Sequence, residues 1–172
     1  MKYLEQDLRN KNVLSVDETW LGMADYRQRH WRSYKENCSI RAKKMQPRIS
    51  MIVAVDRYGE VYLSLTQSNS NQSMMGIFIE RLSLKLDKTN PHWRNNTIIC
   101  WDGAAYHKAA GTQKLLERLN VPIMMLGPYS YNAAPCELFF AAFKSADINP
   151  SKVPLGKGNF DEVVRLVVQR CQ

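Results

Sequence analysis

Thr97-Ile98-Ile99-Cys100-Trp101-Asp102 decides the reading of this chain: five β-branched or apolar residues that end in a carboxylate. A short unbroken run of this kind is the pattern of a strand buried on both faces, and the acid closing it stands at the rim of the sheet that the strand joins. Two other stretches repeat the arrangement. Val13-Leu14-Ser15-Val16 ends at Asp17, and Glu137 opens an apolar run over 138–143, with 34 residues between Asp102 and Glu137. Three such carboxylates, if they converge, make an all-oxygen site for divalent metal ions and phosphoryl transfer.

Working outward, residues 12–19 read as a short buried strand, and 49–56 with 60–66 as a hairpin around Arg57-Tyr58-Gly59. A polar loop over 68–73 precedes a helix over 74–86, in which Met74, Ile77, Phe78, Leu82 and Leu86 recur at helical spacing. Residues 91–96 break that helix, and 97–101 form the fourth strand. Residues 108–119 carry Ala109, Leu115, Leu116 and Leu119 on one helical face, and 122–126 form a fifth strand. After a loop over 127–131, Pro135 suits the first turn of a helix that takes Glu137 into its opening turn. A last amphipathic helix over 161–169 groups Val163, Val164, Val167 and Val168. Antiparallel strands followed by α/β alternation imply an α/β fold: a mixed five-stranded sheet, three antiparallel strands then parallel ones, with helices on both faces. Its ligand crevice lies at the strand ends, within reach of all three acids.

At 172 residues and 45% hydrophobic composition, the chain suits a single domain spanning 1–172. The formal charge of +8 favours a polyanionic partner. No stretch reaches the length of a membrane span and the charged first eleven residues lack a signal-peptide core, so a soluble intracellular protein with no membrane partner is expected. Cys38, Cys100, Cys136 and Cys171 are too widely spaced for a zinc motif or a disulfide scaffold and read as reduced, mostly buried thiols. Residues 25–48 hold eight basic side chains (Arg27, Arg29, Arg32, Lys35, Arg41, Lys43, Lys44 and Arg48) against Asp25 and Glu36, a net +6 interleaved with Tyr26, Trp31 and Tyr34. That mixture is expected to neutralise phosphates and stack on bases. Tyr58, Tyr62 and Trp93 read as packing residues.

Taken together, the acidic stretches resemble the catalytic domain of the DDE superfamily of transposases and endonucleases, in its mariner-type branch. Val16-Asp17-Glu18-Thr19-Trp20 is similar to the family's first acidic motif, and Trp101-Asp102-Gly103-Ala104-Ala105-Tyr106-His107-Lys108 to its second. Leu126-Gly127-Pro128-Tyr129-Ser130 with Pro135-Cys136-Glu137-Leu138-Phe139 resembles the third. The resemblance runs over about residues 12–144. Departures are Gly103 where the family often has Asn, Tyr131 where it has Pro, and Ala134 where it has Asn. None removes a carboxylate.

The resemblance implies a ribonuclease H-like fold and a metal-dependent DNA endonuclease and strand-transfer (transposase) activity. Asp17, Asp102 and Glu137 would be the catalytic acids holding two Mg²⁺ (or Mn²⁺) ions, with water and then a freed 3′-hydroxyl as nucleophiles. His107 would contact the scissile phosphate or orient water, and Lys108 would pair with phosphate. DNA, as element ends and target, is the implied partner, with a homodimer by analogy, in a nucleus or, for a bacterial host, in the cytoplasm or nucleoid. The helix-turn-helix DNA-reading modules usual ahead of such domains are absent from these residues, so the chain reads as a catalytic-domain fragment or a short natural protein. Two rivals stand beside this reading. One is a domesticated or inactive relative serving as a nucleic-acid-binding or structural subunit, and the other a ribonuclease H-like nuclease that cuts RNA in hybrids.

Overall fold

Every residue of the strand Ile49–Asp56 is buried, and its two sets of side chains go to two different cores. Ile49, Met51, Val53 and Val55 join one apolar cluster, whereas Ile52 and Ala54 join the other. A strand apolar on both faces needs cover on both, and this one has it.

The computed structural model describes residues 10–21, 49–67, 70–127, 134–144, 165, 167–169 and 171–172. In chain order its elements are β1 (Asn12–Leu21), β2 (Ile49–Asp56), β3 (Val61–Thr66), α1 (Gln72–Thr89), α2 (Trp93–Asn96), β4 (Thr97–Trp101), α3 (Ala110–Leu119), β5 (Ile123–Met125) and α4 (Pro135–Phe143). The sheet has five strands in the order β3-β2-β1-β4-β5. The first three are antiparallel neighbours, and β4 and β5 are parallel additions on the other side of β1. This is the mixed sheet expected from the sequence.

One face of the sheet is covered by α1, α2 and α3. Leu14, Val16, Ile99 and Trp101 pack there against Met75, Phe78, Ile79, Leu82, Leu86, Trp93 and Leu116. On the opposite face, α4 brings Cys136, Phe140 and Phe143 onto β2, joined by Val167. Helix α1 starts at Asn71, whose side chain accepts the Met74 N–H at 3.0 Å. Helix α3 ends at Asn120 in the left-handed region (φ 48°), a conformation that Asn tolerates better than most residues.

The sequence-based boundaries need several corrections. Helix α1 extends to Thr89, and Met75 and Ile79 are buried where Ile77 had been expected; Ile77 is exposed. Helix α3 begins at Ala110 rather than at 108, and a one-turn helix, α2, occupies part of the expected break. Trp93 is buried and Tyr62 packs partly against the core, but Tyr58 projects from the hairpin turn, 77% exposed. In the last predicted helix, residues 165 and 167–169 are described; Val167 is buried and Val168 exposed, so the two do not share a face. Cys100 and Cys136 are buried free thiols. Among the described residues no helix is long and apolar enough to cross a membrane.

Candidate active site

The sheet has a step in it, and the acids stand at the step. Strand β1 pairs with β2 all the way to Leu21↔Ile49, but its parallel ladder with β4 stops at Ser15↔Cys100 because β4 ends one residue later. Asp17 is therefore not at the end of its strand, as the sequence suggested. It lies inside β1, opposite Val53, just past the point where the neighbour on its other side has run out. Continuing the Ser15↔Cys100 register by two residues sets Asp17 level with Asp102 and on the same face.

Helix α4 adds Glu137 from above that face. The Cys136 thiol donates to the Ser15 carbonyl at 3.0 Å, and at the other end the Lys144 ammonium donates to the Thr19 hydroxyl at 2.6 Å. Those two contacts lay the helix along β1, with Glu137 in its first turn beside Asp17. Pro135 at the helix start and an acid in the opening turn both suit a helix N-terminus. Lys144 follows Glu137 by two helical turns, which puts an ammonium at the edge of the acidic face. Neither Lys144 nor its position had been singled out from the sequence.

Electrostatics tie the three acids together. Burial pushes the Asp17 carboxyl up to about 6, with further upward pressure from the Asp102 and Glu137 carboxylates, against one hydrogen bond from the Glu18 N–H at 2.8 Å that favours the ionised form. Both other acids thus lie close enough to repel Asp17.

Asp102 is mostly open to solvent, and its Oδ1 accepts the Ala104 N–H at 2.9 Å while lying 2.8 Å from His107 Nδ1. His107 Nδ1 also bonds the Asp102 carbonyl oxygen at 3.1 Å. The His107 ring is completely buried, stacked on Trp101 with centroids 4.5 Å apart and 3° between planes, with Tyr106 edge-on at 4.6 Å. It lies in a turn before α3, and its complete burial does not suit contact with a phosphate; its bonds are to Asp102. Lys108 is exposed, and its ammonium lies over Gly103, 2.9 Å from where a Cβ would stand. Arg27, Arg29, Arg32, Lys35, Arg41, Lys43 and Lys44, together with the loop over 128–131, lie outside the described residues.

A fourth acid was missed by sequence reasoning. Glu18 follows Asp17 on β1, so it points through the sheet to the α1–α3 face. Its carboxyl is pushed up to about 8, first by burial, then by Asp17 and Asp102. Its Oε2 and His107 Nε2 face each other at 3.8 Å, both buried and, among the described residues, neither with a hydrogen bond. Alternation within the strand read over 12–19, which sets Glu18 on the opposite face from Asp17, was the available signal.

Carboxylates brought near one another, as Asp102 and Glu137 are to Asp17, are the donor chemistry of Mg²⁺ or Mn²⁺, hard cations that prefer oxygen. Among the described residues, no three His, Cys, Asp or Glu side chains are already gathered as a coordination set. The donor types fit a divalent ion, with Asp102 held toward His107.

The model of a family described as DDE superfamily endonuclease matches residues 12–154. The chain belongs to that family. Solved structures share the fold: the chain superposes on the pre-cleavage Mos1 transpososome with a TM-score of 0.66 at 17% identity, covering 95% of this chain and 50% of that one. It superposes on the Mos1 transposase catalytic domain with raltegravir and Mg at a TM-score of 0.65 and 17% identity, covering 98% and 74%. For the Mos1 transposase paired-end complex with the left transposon end, the values are 0.59 and 21%, covering 82% and 43%. The chain thus spans about half the length of the Mos1 chains in those DNA assemblies. The shared mixed sheet is the ribonuclease H-like fold expected from the sequence. Comparison with curated proteins gives no match.

Proposed function

We propose that residues 1–172 form the catalytic domain of a mariner-type DNA transposase, a Mg²⁺- or Mn²⁺-dependent endonuclease that cuts DNA at an element's ends and joins the freed 3′-hydroxyl to a target. The observation that carries this reading is the convergence on Asp17: a half-buried carboxyl driven toward neutrality by burial and by its neighbours Asp102 and Glu137. Partly burying the Asp17 carboxylate beside two other acids is costly without a counter-charge, and cations relieve it. Two bound divalent ions would supply a polarised nucleophile and charge stabilisation at the leaving oxygen.

Within that chemistry the chain's own groups divide the work. Asp17, Asp102 and Glu137 hold the ions, and His107 orients the Asp102 carboxylate. Lys108, over Gly103, and Lys144, anchored to Thr19, serve as phosphate ligands for the DNA backbone. The basic segment 25–48 extends that surface, and the joining of two element ends favours a homodimer. Mos1 transposase, whose structures include complexes with a transposon end and with Mn or Mg, supports DNA and divalent ions as partners for this chain.

Nicking of supercoiled plasmid in Mg²⁺ or Mn²⁺, run beside Asp102→Ala and Glu137→Ala, tests the reading. Cutting by the parent chain that both variants lose is the expected result. One observation favours a second reading, an inactive relative serving as a nucleic-acid-binding subunit: Asp102 is turned toward His107 and Ala104 rather than toward its fellow acids. Absence of cutting together with no Mn²⁺-induced rise in Tm selects that alternative.

A further inference from the structure

Strand alternation separates the two adjacent acids of β1. Asp17 faces α4, whereas Glu18 lies on the other side of the sheet, among the groups that surround Trp101 and His107. Glu18 thus lies off the Asp17 face, although the charges of Asp17 and Asp102 still reach it, and the apolar core it adjoins suits a Leu or Met. Instead the chain buries an oxygen, Oε2, that finds no hydrogen bond among the described residues, opposite an imidazole nitrogen, Nε2, that finds none there either. Their separation is 3.8 Å, about 1 Å beyond hydrogen-bond distance. Unsatisfied buried polar atoms are uncommon in folded proteins, and two of them facing each other point to a role outside packing.

The other side of the ring gives that role. Nδ1 faces two acceptors of Asp102, the carbonyl oxygen at 3.1 Å and Oδ1 at 2.8 Å, so the Nδ1 position carries the proton. The ring has little freedom: Trp101 stacks on one face and Tyr106 abuts it. The turn that carries it is tied by His107 N–H to the Ala104 carbonyl at 3.0 Å, by the Gln113 amide to the His107 carbonyl at 2.8 Å, and by the Thr112 hydroxyl to the Tyr106 carbonyl at 2.7 Å. What remains to be fixed is the ring's orientation about its own axis, and Glu18 stands at the far nitrogen.

We propose that Glu18 is a positioning residue for Asp102, acting through His107: a polar group held opposite Nε2 keeps Nδ1–H aimed at the Asp102 carboxylate and so sets its orientation at the site. The inference rests on Asp102 being a ligand in the proposed metal site. Outer partners of this kind typically change metal affinity by 10–100-fold when removed.

Calorimetric titration of the full chain with Mn²⁺ alone, alongside thermal unfolding, tests it. Glu18→Leu is expected to fold with an unchanged or higher Tm, because it removes a buried carboxyl that has no hydrogen bond, and yet to bind Mn²⁺ about tenfold more weakly. A residue with a merely structural role would not raise Tm and lower affinity together. Glu18→Gln, which keeps a polar group opposite Nε2, recovers most of the affinity, and adding Glu18→Leu to His107→Phe costs nothing further. Glu18→Met serves in the same way should Glu18→Leu fail to fold. Affinity within twofold of the parent in the apolar variants overturns the inference. Equal weakening by Gln and Leu overturns it too, since that marks a simple loss of charge. Asp102→Asn separates the two levels: if it leaves Mn²⁺ binding intact, the metal-site reading itself falls; if it abolishes binding while Glu18→Leu does not, only the role of Glu18 falls.

Discussion

Two carboxyl-bearing regions of this molecule are built on opposite plans. At the β2–β3 turn, Asp56 is 6% exposed and fully employed: one oxygen accepts the N–H groups of Tyr58 and Glu60, each at 2.8 Å, and the other accepts the Asn12 amide at 3.2 Å. Gly59, at φ 89°, completes the turn that makes those bonds possible. At the step in the sheet, Asp17 accepts one local N–H and is pushed up by burial and by two other acids, while Glu18 keeps a buried oxygen without a partner. The first acid serves folding; the second group is held against its own repulsion. A chain puts up with unsatisfied, repelling carboxylates where a ligand is to supply what the protein withholds.

The comparison breaks most sharply under substitution. Asp17→Asn or Asp102→Asn is expected to lower Mn²⁺-dependent DNA cleavage by more than about 100-fold, above the range for outer partners of a metal, with a Tm equal to or above the parent's. Plasmid nicking and thermal unfolding measure the two halves. A fall of many degrees in Tm with activity retained would place Asp17 in the same class as Asp56.

Asp56→Ala is expected to behave in the reverse manner. Removing an acceptor of three hydrogen bonds strands the Tyr58 and Glu60 N–H groups and loosens the turn, a loss of about 3 kcal/mol, or roughly 6–12 °C of Tm for a chain of this size. Mn²⁺ affinity should stay within twofold. A metal defect in this variant would mean that the hairpin and the step are coupled.

pH sharpens the contrast in the metal-free protein. Asp17 is raised from 3.8 to about 6 and Glu18 from 4.5 to about 8, so both bind protons more tightly folded than unfolded. Below pH about 3.8 both groups are protonated in either state and the stability they allow is fully present. As pH rises through 3.8 to 6 for Asp17 and 4.5 to 8 for Glu18, the unfolded chain ionises first and stability is lost; above 8 the loss is complete. Urea unfolding in EDTA should show a decline across this window that is shallower in Glu18→Gln between pH 6 and 8. A stability that climbs from pH 5 to 8 in all variants would remove the repulsion from the account.

The same contrast explains what was legible in the sequence. The five strands and their mixed pairing were readable because β2 and β4 are apolar on both faces, and the hairpin because Gly59 marks its turn. Pro135 announced α4 and its acid. The strand read over 12–19 already contained Glu18; only its last two residues, Trp20 and Leu21, which pair with Ser50 and Ile49 of β2, were left out. Glu18 escaped notice because His107, the group it faces, lies far along the chain, beyond the reach of local patterning. His107 was assigned to a phosphate or to orienting water because spacing alone cannot tell that Trp101 and Tyr106 enclose its ring. Lys144 escaped notice because its contact with Thr19 spans 125 positions, which no local pattern encodes.

Lys144 gives the smallest expected effect and the finest division of the step. Among the described residues it pairs with a hydroxyl and with no carboxylate, although three acids of the site lie on the same side of the sheet. An ammonium left out of ion pairs beside an acidic cluster can neutralise a phosphate without first breaking a salt bridge. Lys144→Ala should therefore weaken binding to duplex DNA uniformly across sequences and reduce the slope of log affinity against log salt by about 1. Thr19→Val, which removes the acceptor and keeps the charge, should leave that slope alone. If both variants leave it unchanged, Lys144 only pins α4 to β1, and its loss should then appear as a small drop in Tm.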